Sequence, residues 1–163
     1  MNYNSTTLKI IDLLKEKSIF YEIYEHTPVR TSEEAARVRP DFSLKQGAKA
    51  IIVKAYVSKN NFDYVMLVIP GDKKFFGNKV KKFLKTKELR FATAEEVEKV
   101  TNGVLVGGVP PFGSIFGLKT YLDEGVLENE SIIFNAGDRS ISLSLKSRDF
   151  IKVGNPTICV ISQ

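Results

Sequence analysis

Among 163 residues there is one cysteine, Cys159, and one histidine, His26. A single cysteine excludes an intramolecular disulfide, and one of each makes a zinc site of Cys and His ligands untenable. A Ser-His-Asp arrangement is excluded as well unless His26 takes part. Long apolar runs are also missing: each is interrupted within about ten residues, against roughly 20 needed to span a bilayer. The stretch Met1 to Lys9 has neither the basic start nor the apolar centre of a signal peptide. These absences predict a soluble protein in a reducing, cytoplasmic setting, with no metal, cofactor or membrane partner. A chain of this length buries roughly 68–70% of its unfolded surface, so it needs no covalent staple. With 43% hydrophobic and 26% charged residues, one compact domain over residues 1–163 is expected.

What is present is an excess of positive charge, concentrated in one place. The total is +5, yet Lys73 to Arg90 holds eight cations against the single acid Glu88, a net +7 that leaves −2 elsewhere. Within that stretch Val80, Phe83 and Leu84 recur at i, i+3, i+4, which predicts an amphipathic helix with Asn78 as N-cap and lysines on its solvent face. Such a face serves solubility in many proteins. It also has the character of a footprint for a phosphate backbone, which binds clustered cations by counterion release. No aromatic interleaving of the kind that stacks single-stranded bases is evident on that face.

Periodicity and caps predict the remaining elements. Thr6 to Lys17 reads as a helix with Leu8, Ile11 and Leu14 on one face, and Ile19 to Glu25 as a strand. Thr31 with Glu34 forms a capping box for a helix that must end before Pro40. Ala48 to Ser58 and Phe62 to Pro70 form a hairpin about Lys59-Asn60-Asn61, and Leu89 to Ala92 is a short strand. Thr93 with Glu96 caps a helix to Val100. Strands are expected at Val104 to Val106, Thr120 to Leu122, Ile132 to Asn135, Ile141 to Leu145 and Thr157 to Ile161, with a short helix capped by Ser147. Helices and strands mix without strict alternation, so the class is α+β around a mixed, strongly curved sheet.

Four features carry candidate chemistry. Asn102 to Gly117 holds five of the eleven glycines and two of the six prolines, so a rigid loop there could aim backbone N–H groups at an oxyanion or phosphate. It matches neither a P-loop nor a GxGxxG turn, and Gly/Pro-rich segments are often simple turns. Lys49 shares strand parity with Ile51 and Val53, an otherwise apolar face, which makes it a candidate inward-pointing lysine unless it snorkels to water. In Ser140 to Leu145 the residues Ile141, Leu143 and Leu145 should be core. Ser140, Ser142 and Ser144 should face solvent, or else floor a polar cleft. His26 ends a strand and either titrates near neutrality or serves as a loop hydrogen-bonder.

Taken in order, Glu25-His26-Thr27-Pro28-Val29 with Ser32 to Ala36, Gly47-Ala48-Lys49-Ala50-Ile51, Gly103 to Gly113, and Ile133 to Arg139 resemble the YbaK family. This is the trans-editing group also found as the insertion domain of bacterial prolyl-tRNA synthetases. Its members are α+β domains that hydrolyse the ester of mischarged aminoacyl-tRNA, commonly alanine or cysteine on proline tRNA. The resemblance implies that Lys49 is the essential lysine, positioning the 3′-terminal nucleotide. It implies that the loop Gly107, Gly108, Val109, Pro110, Pro111, with Gly113 beyond it, binds the aminoacyl ester, Gly107 and Gly108 supplying amides to the oxyanion and Pro110-Pro111 a wall that limits side-chain size. His26, Asn135, Gly137, Arg139 and Ser142 complete the implied substrate site, and Lys79, Lys81, Lys82 and Lys85 would meet the tRNA backbone. The implied partners are a mischarged tRNA and prolyl-tRNA synthetase or another synthetase. The chain departs from the family where many members have Thr after the lysine (Ala50 here), Ser before Gly-Gly (Asn135-Ala136-Gly137 here) and Asp at the position of Ser142. These positions bear on which amino acid is accepted. Two rival readings use the same features: a non-catalytic nucleic-acid module acting through the basic helix 78–87, and a regulatory protein binding a small amino-acid-like ligand.

Overall fold

In the computed structural model, which describes residues 2–163, an α+β arrangement is built from five α-helices and eight strands. Helix α1 (Ser5–Glu16) starts at Asn4, whose side chain accepts from the Thr7 N–H, and it buries Thr7, Ile10, Ile11 and Leu14 while Leu8 stays exposed. Ile11 and Leu14 are buried as expected, while Thr7 and Ile10 take the place of Leu8 on the buried stripe. Strand β1 is Glu22–Glu25. Helix α2 (Ser32–Val38) is capped by the Thr31 side chain and stops just before Arg39-Pro40, as the steric restriction ahead of proline requires. The hairpin follows as β2 (Ala48–Ser58) and β3 (Asn61–Pro70), then α3 (Gly77–Leu84), β4 (Glu88–Phe91) and α4 (Ala94–Val100), the last with the Thr93/Glu96 capping box. Strands β5 (Thr120–Asp123), β6 (Ser131–Asn135) and β7 (Ile141–Lys146), helix α5 (Ser147–Gly154) and strand β8 (Thr157–Cys159) complete the chain.

Three local expectations are corrected. Val104 to Val106 is loop rather than strand: the Val104 and Leu105 carbonyls accept locally from Thr101 Oγ1 and the Gly108 N–H, and the Val106 carbonyl accepts from Arg139. Helix α3 starts at Gly77 with no side-chain cap, so Asn78 lies inside it. Ser147 is the first residue of α5, and its hydroxyl donates to the Asn129 and Glu130 carbonyls instead of capping.

The strands divide into a five-stranded sheet, ordered β4-β2-β3-β5-β8, and a three-stranded sheet, ordered β1-β7-β6. The larger sheet is antiparallel through β4, β2 and β3 and parallel from β3 through β5 to β8. The main core lies between the two sheets, where Phe112 packs edge-on against Phe134 and Phe150 with ring centroids 5.4 and 5.3 Å apart. A smaller core, with Val53, Leu67, Ile69, Val80 and Ile161, fills the other face of the large sheet beneath α3. Both faces of β2 are therefore covered, which explains its unbroken apolar run from Ala50 to Val53.

The site follows from an incomplete edge. Strand β4 pairs with β2 only over Val53 to Tyr56. Among the described residues, that edge from Ala48 to Ile52 has no neighbouring strand beyond the bridge between Gly47 and Ile133 and the Ala92 N–H donating to the Ile52 carbonyl. The gap between the open edge of β2 and the small sheet is a cavity.

Candidate active site

The cavity holds about 370 Å³. One wall is apolar, made by Ala35 and Ala36 of α2, Ala48, Ala50 and Ile52 of β2, and Phe134 of β6. Lys49, Glu33 and Phe91 also line it, as does the loop at Val106, Gly107 and Val109. Strand backbones alternate in direction, and the Ile52 carbonyl faces Ala92, so the N–H and C=O of Ala50 also turn to the open edge.

Lys49 lies half-buried on the expected face of β2, and its Nζ donates to the Lys73 carbonyl at 2.9 Å. Desolvation lowers its pKa from the ordinary lysine value. Glu33 opposes that shift, Lys74 adds to it, and Asp72 opposes it. The ammonium is thus held across the cavity from an acid on α2 and anchored by the segment that leads into the basic helix. Phe91 stands 62% exposed on the lining, its ring 5.2 Å from that of Phe75.

The glycine-rich loop is fixed through its carbonyls. Arg139 Nε donates to Val106 O at 2.8 Å, Asn135 Nδ2 to Gly107 O at 2.6 Å, and the Gly137 N–H to Gly108 O at 2.8 Å. Three consecutive carbonyls are therefore held by the segment joining β6 to β7. That segment is itself tied to the start of α1, where Thr7 Oγ1 donates to Ala136 O and Asn4 Nδ2 to Gly137 O. Gly107 has φ +93°, and a Cβ there would come within 2.8 Å of the Arg30 backbone, so only glycine fits. The Gly108 N–H donates to Leu105 O, so of the two amides named from sequence only that of Gly107 has no acceptor among the described residues. Pro110, Pro111 and Gly113 are buried and are not among the residues that line the cavity.

The serine face of β7 also differs from the solvent-facing expectation: Ser142 and Ser144 are buried, at 0% and 6% exposure. Strand β7 is central in its sheet, and a polar layer covers this face. His26 Nδ1 donates to Thr27 O at 2.8 Å, which leaves Nε2 of the neutral ring to accept from Ser142 Oγ at 2.7 Å. Arg39 Nε donates to the same hydroxyl at 3.0 Å, and Arg39 Nη2 donates to Asn135 Oδ1 at 2.7 Å. A continuous polar path thus runs from His26 through Ser142, Arg39 and Asn135 to the Gly107 carbonyl. Arg39 was not foreseen from sequence, and nothing in an arginine at a helix end before proline marks it as buried.

Thr31, Ser32 and Ser43 line the cavity, but among the described residues none of their hydroxyls is hydrogen-bonded to a base there. The single thiol, Cys159, is buried under the large sheet, and burial pushes it up to about 12, so it is inert. Exposed Lys79, Lys82 and Lys85 and half-buried Lys81 lie on and just after α3, outside the cavity. Among the described residues no helix is long and apolar enough to cross a membrane.

The site combines a pinned glycine loop with a strand-borne lysine, and residues 26–153 match the aminoacyl-tRNA editing domain: the chain belongs to that family. Over 94% of its length it is 27% identical to the multifunctional Ser/Thr-tRNA deacylase ProXp-y of Escherichia coli K12, covering 90% of that protein. It is 32% identical over 75% of its length to the proline–tRNA ligase of Caldicellulosiruptor bescii, of which it spans 19%. Among solved structures, hypothetical protein APE2540 superposes with a TM-score of 0.83 at 25% identity, covering 95% of this chain and 99% of that one. A structure provisionally described as a trans-editing enzyme for prolyl-tRNA synthetase superposes with a TM-score of 0.81 at 20% identity, covering 99% of each chain, a likeness of fold.

Proposed function

We propose that the protein is a free-standing trans-editing hydrolase that removes a small amino acid from a mischarged tRNA. The observation that carries this reading is the combination in one cavity of Lys49 at its rim with the Val106–Gly108 loop, whose carbonyls are all turned away and held. An aminoacyl ester is already activated, so the protein need only bind, orient and stabilise charge. Lys49 neutralises the 3′-terminal phosphate or holds the ribose, with the exposed ring of Phe91 beside it as a surface for the terminal base. The Gly107 amide, and that of Ala50 on the open strand edge, are backbone donors available to the ester carbonyl. Glu33, across from Lys49, is placed to receive the substrate's α-ammonium.

Alanine and cysteine on proline tRNA fit a cavity wall built from alanines and isoleucine, because a methylene is discriminated by about 1–3 kcal/mol and selection by exclusion suits small side chains. Serine and threonine enter the comparison through the Escherichia coli relative, whose name states that class. The test is a deacylation screen of the purified protein against alanyl- and cysteinyl-tRNA for proline and against seryl- and threonyl-tRNAs. Turnover of at least one is the expected result. No turnover of any, together with salt-dependent affinity for any duplex, would instead identify a non-catalytic nucleic-acid module.

A further inference from the structure

Arg39 is the most deeply placed cation of the chain, 8% exposed, and it lines the cavity. Its fork is only partly used. Nε and Nη2 donate to two neutral oxygens, Ser142 Oγ and Asn135 Oδ1, and among the described residues no carboxylate pairs with it. Nη1 donates to no acceptor among the described residues and is not among the sealed, unpartnered polar atoms, so it keeps solvent access at a residue that lines the cavity. Burial lowers the guanidinium to about 10, which shows the direction of the penalty for holding it there uncompensated. A buried cation whose free face looks into a substrate cavity is matched by an anion that arrives with the substrate.

Two anionic oxygens accompany an aminoacyl ester: the terminal phosphate and the oxyanion that forms at the ester carbonyl. The phosphate is bulky, hydrated and tethered to the tRNA, and Lys49 meets it at the rim. Only the small acyl group reaches the depth where Arg39 lies between α2 and the small sheet. We infer that Arg39 is a further catalytic residue, its Nη1 donating to the ester carbonyl oxygen as that oxygen becomes the tetrahedral oxyanion. This rests on the deacylase reading above. In that step water adds to the acyl carbon, the bond from that carbon to the ribose oxygen breaks, and the water proton ends on the ribose hydroxyl. The products are free amino acid and uncharged tRNA, and Arg39 keeps its protons throughout. The Asn135 and Ser142 contacts fix the plane of the fork, so that the donor is in position before the charge develops.

The experiment uses the full chain and the aminoacyl-tRNA that the wild type turns over fastest. Arg39→Gln is measured with Arg39→Met as a second neutral variant, so that poor folding of one leaves the other. The probes are a 3′-aminoacylamino-adenosine, whose uncharged amide mimics the ground state, and the corresponding phosphonate, whose anionic tetrahedral centre mimics the transition state. The expected result is a loss of kcat on the order of 10²–10³-fold, with phosphonate affinity falling in parallel and amide affinity unchanged within about threefold. That split separates catalysis from a structural role, since a disordered loop would weaken both ligands. Equal weakening of the two probes, or wild-type kcat in either folded variant, overturns the proposal. A wild type inactive on every charged tRNA overturns the deacylase reading and this proposal with it, an outcome distinct from an active wild type with equally active variants.

Discussion

Lys49 shows how one residue can oppose stability and serve function. Its folded-state pKa lies below the unfolded one because desolvation outweighs the help of Glu33 and Asp72. The unfolded chain therefore binds that proton more tightly. Lys49 opposes folding at neutral pH, and the penalty fades only as pH rises through the folded value toward the unfolded lysine value. Lys49→Met should accordingly keep or raise the melting temperature at pH 7 while deacylation falls by at least 100-fold, as measured by calorimetry beside single-turnover hydrolysis. In the wild type, if Lys49 holds the phosphate as proposed, hydrolysis corrected for the spontaneous reaction should decline with rising pH at a point below the ordinary lysine value, since that role needs the ammonium form. Lys49 was legible from parity on a β-strand. Arg39 was not, since its burial depends on Asn135 and Ser142, 96 and 103 residues away.

At the scale of elements, the editing loop is held by what flanks it. Gly107→Ala would force a Cβ into the Arg30 backbone at positive φ, and the left-handed conformation alone costs roughly 1–2 kcal/mol in a non-glycine residue. A lower melting temperature and a slower kcat, with tRNA affinity unchanged, are expected from melting curves and filter binding. The lysine is supported by a second device. Buried Asp123 accepts through Oδ1 from the Ile161 and Ser162 amides and through Oδ2 from the Gly125 amide and the Ser162 hydroxyl, tying the C-terminal segment beside Phe75 and Lys74. Burial raises its pKa, yet those four donors together leave it below the ordinary value. Its stabilisation is therefore present above the unfolded carboxylate pKa and is lost as pH falls through the folded one. Asp123→Ala should cost at least about 1–3 kcal/mol in urea unfolding at pH 7, the range for stranding buried donors, and the gap from wild type should narrow in acid. The Thr93/Glu96 capping box, the Thr31 cap and the hairpin were readable because caps and turns act over a few residues, although Glu34 accepts from the Arg30 N–H and so leaves the Thr31 box half-formed. The Val104–Val106 segment reads as a strand from its apolar pattern, but its carbonyls turn to Thr101 Oγ1, the Gly108 N–H and Arg139 Nε instead of a neighbouring strand.

For the molecule as a whole, the charge asymmetry concentrates the cations around α3, the face proposed to meet the tRNA. Reversing Lys79, Lys82 and Lys85 to glutamate should lower the affinity for charged tRNA. It should also flatten the plot of log affinity against log salt by about 2–3, near 0.7–0.9 for each phosphate no longer neutralised. Hydrolysis of a short aminoacyl-nucleotide that does not reach α3 should be unaffected. The sequence by itself determined the α+β class, the concentration of charge, the lysine on its strand and the glycine loop, because composition, period and local caps are properties of neighbouring residues. Only the tertiary structure decided that β2 has an open edge, that the serine face is buried under a polar layer, that Pro110 and Pro111 are buried away from the cavity, and that a guanidinium lining the cavity has no counter-ion among the described residues. Each of these depends on segments far apart in the chain meeting across two sheets, and a local pattern carries no record of which partner it will meet.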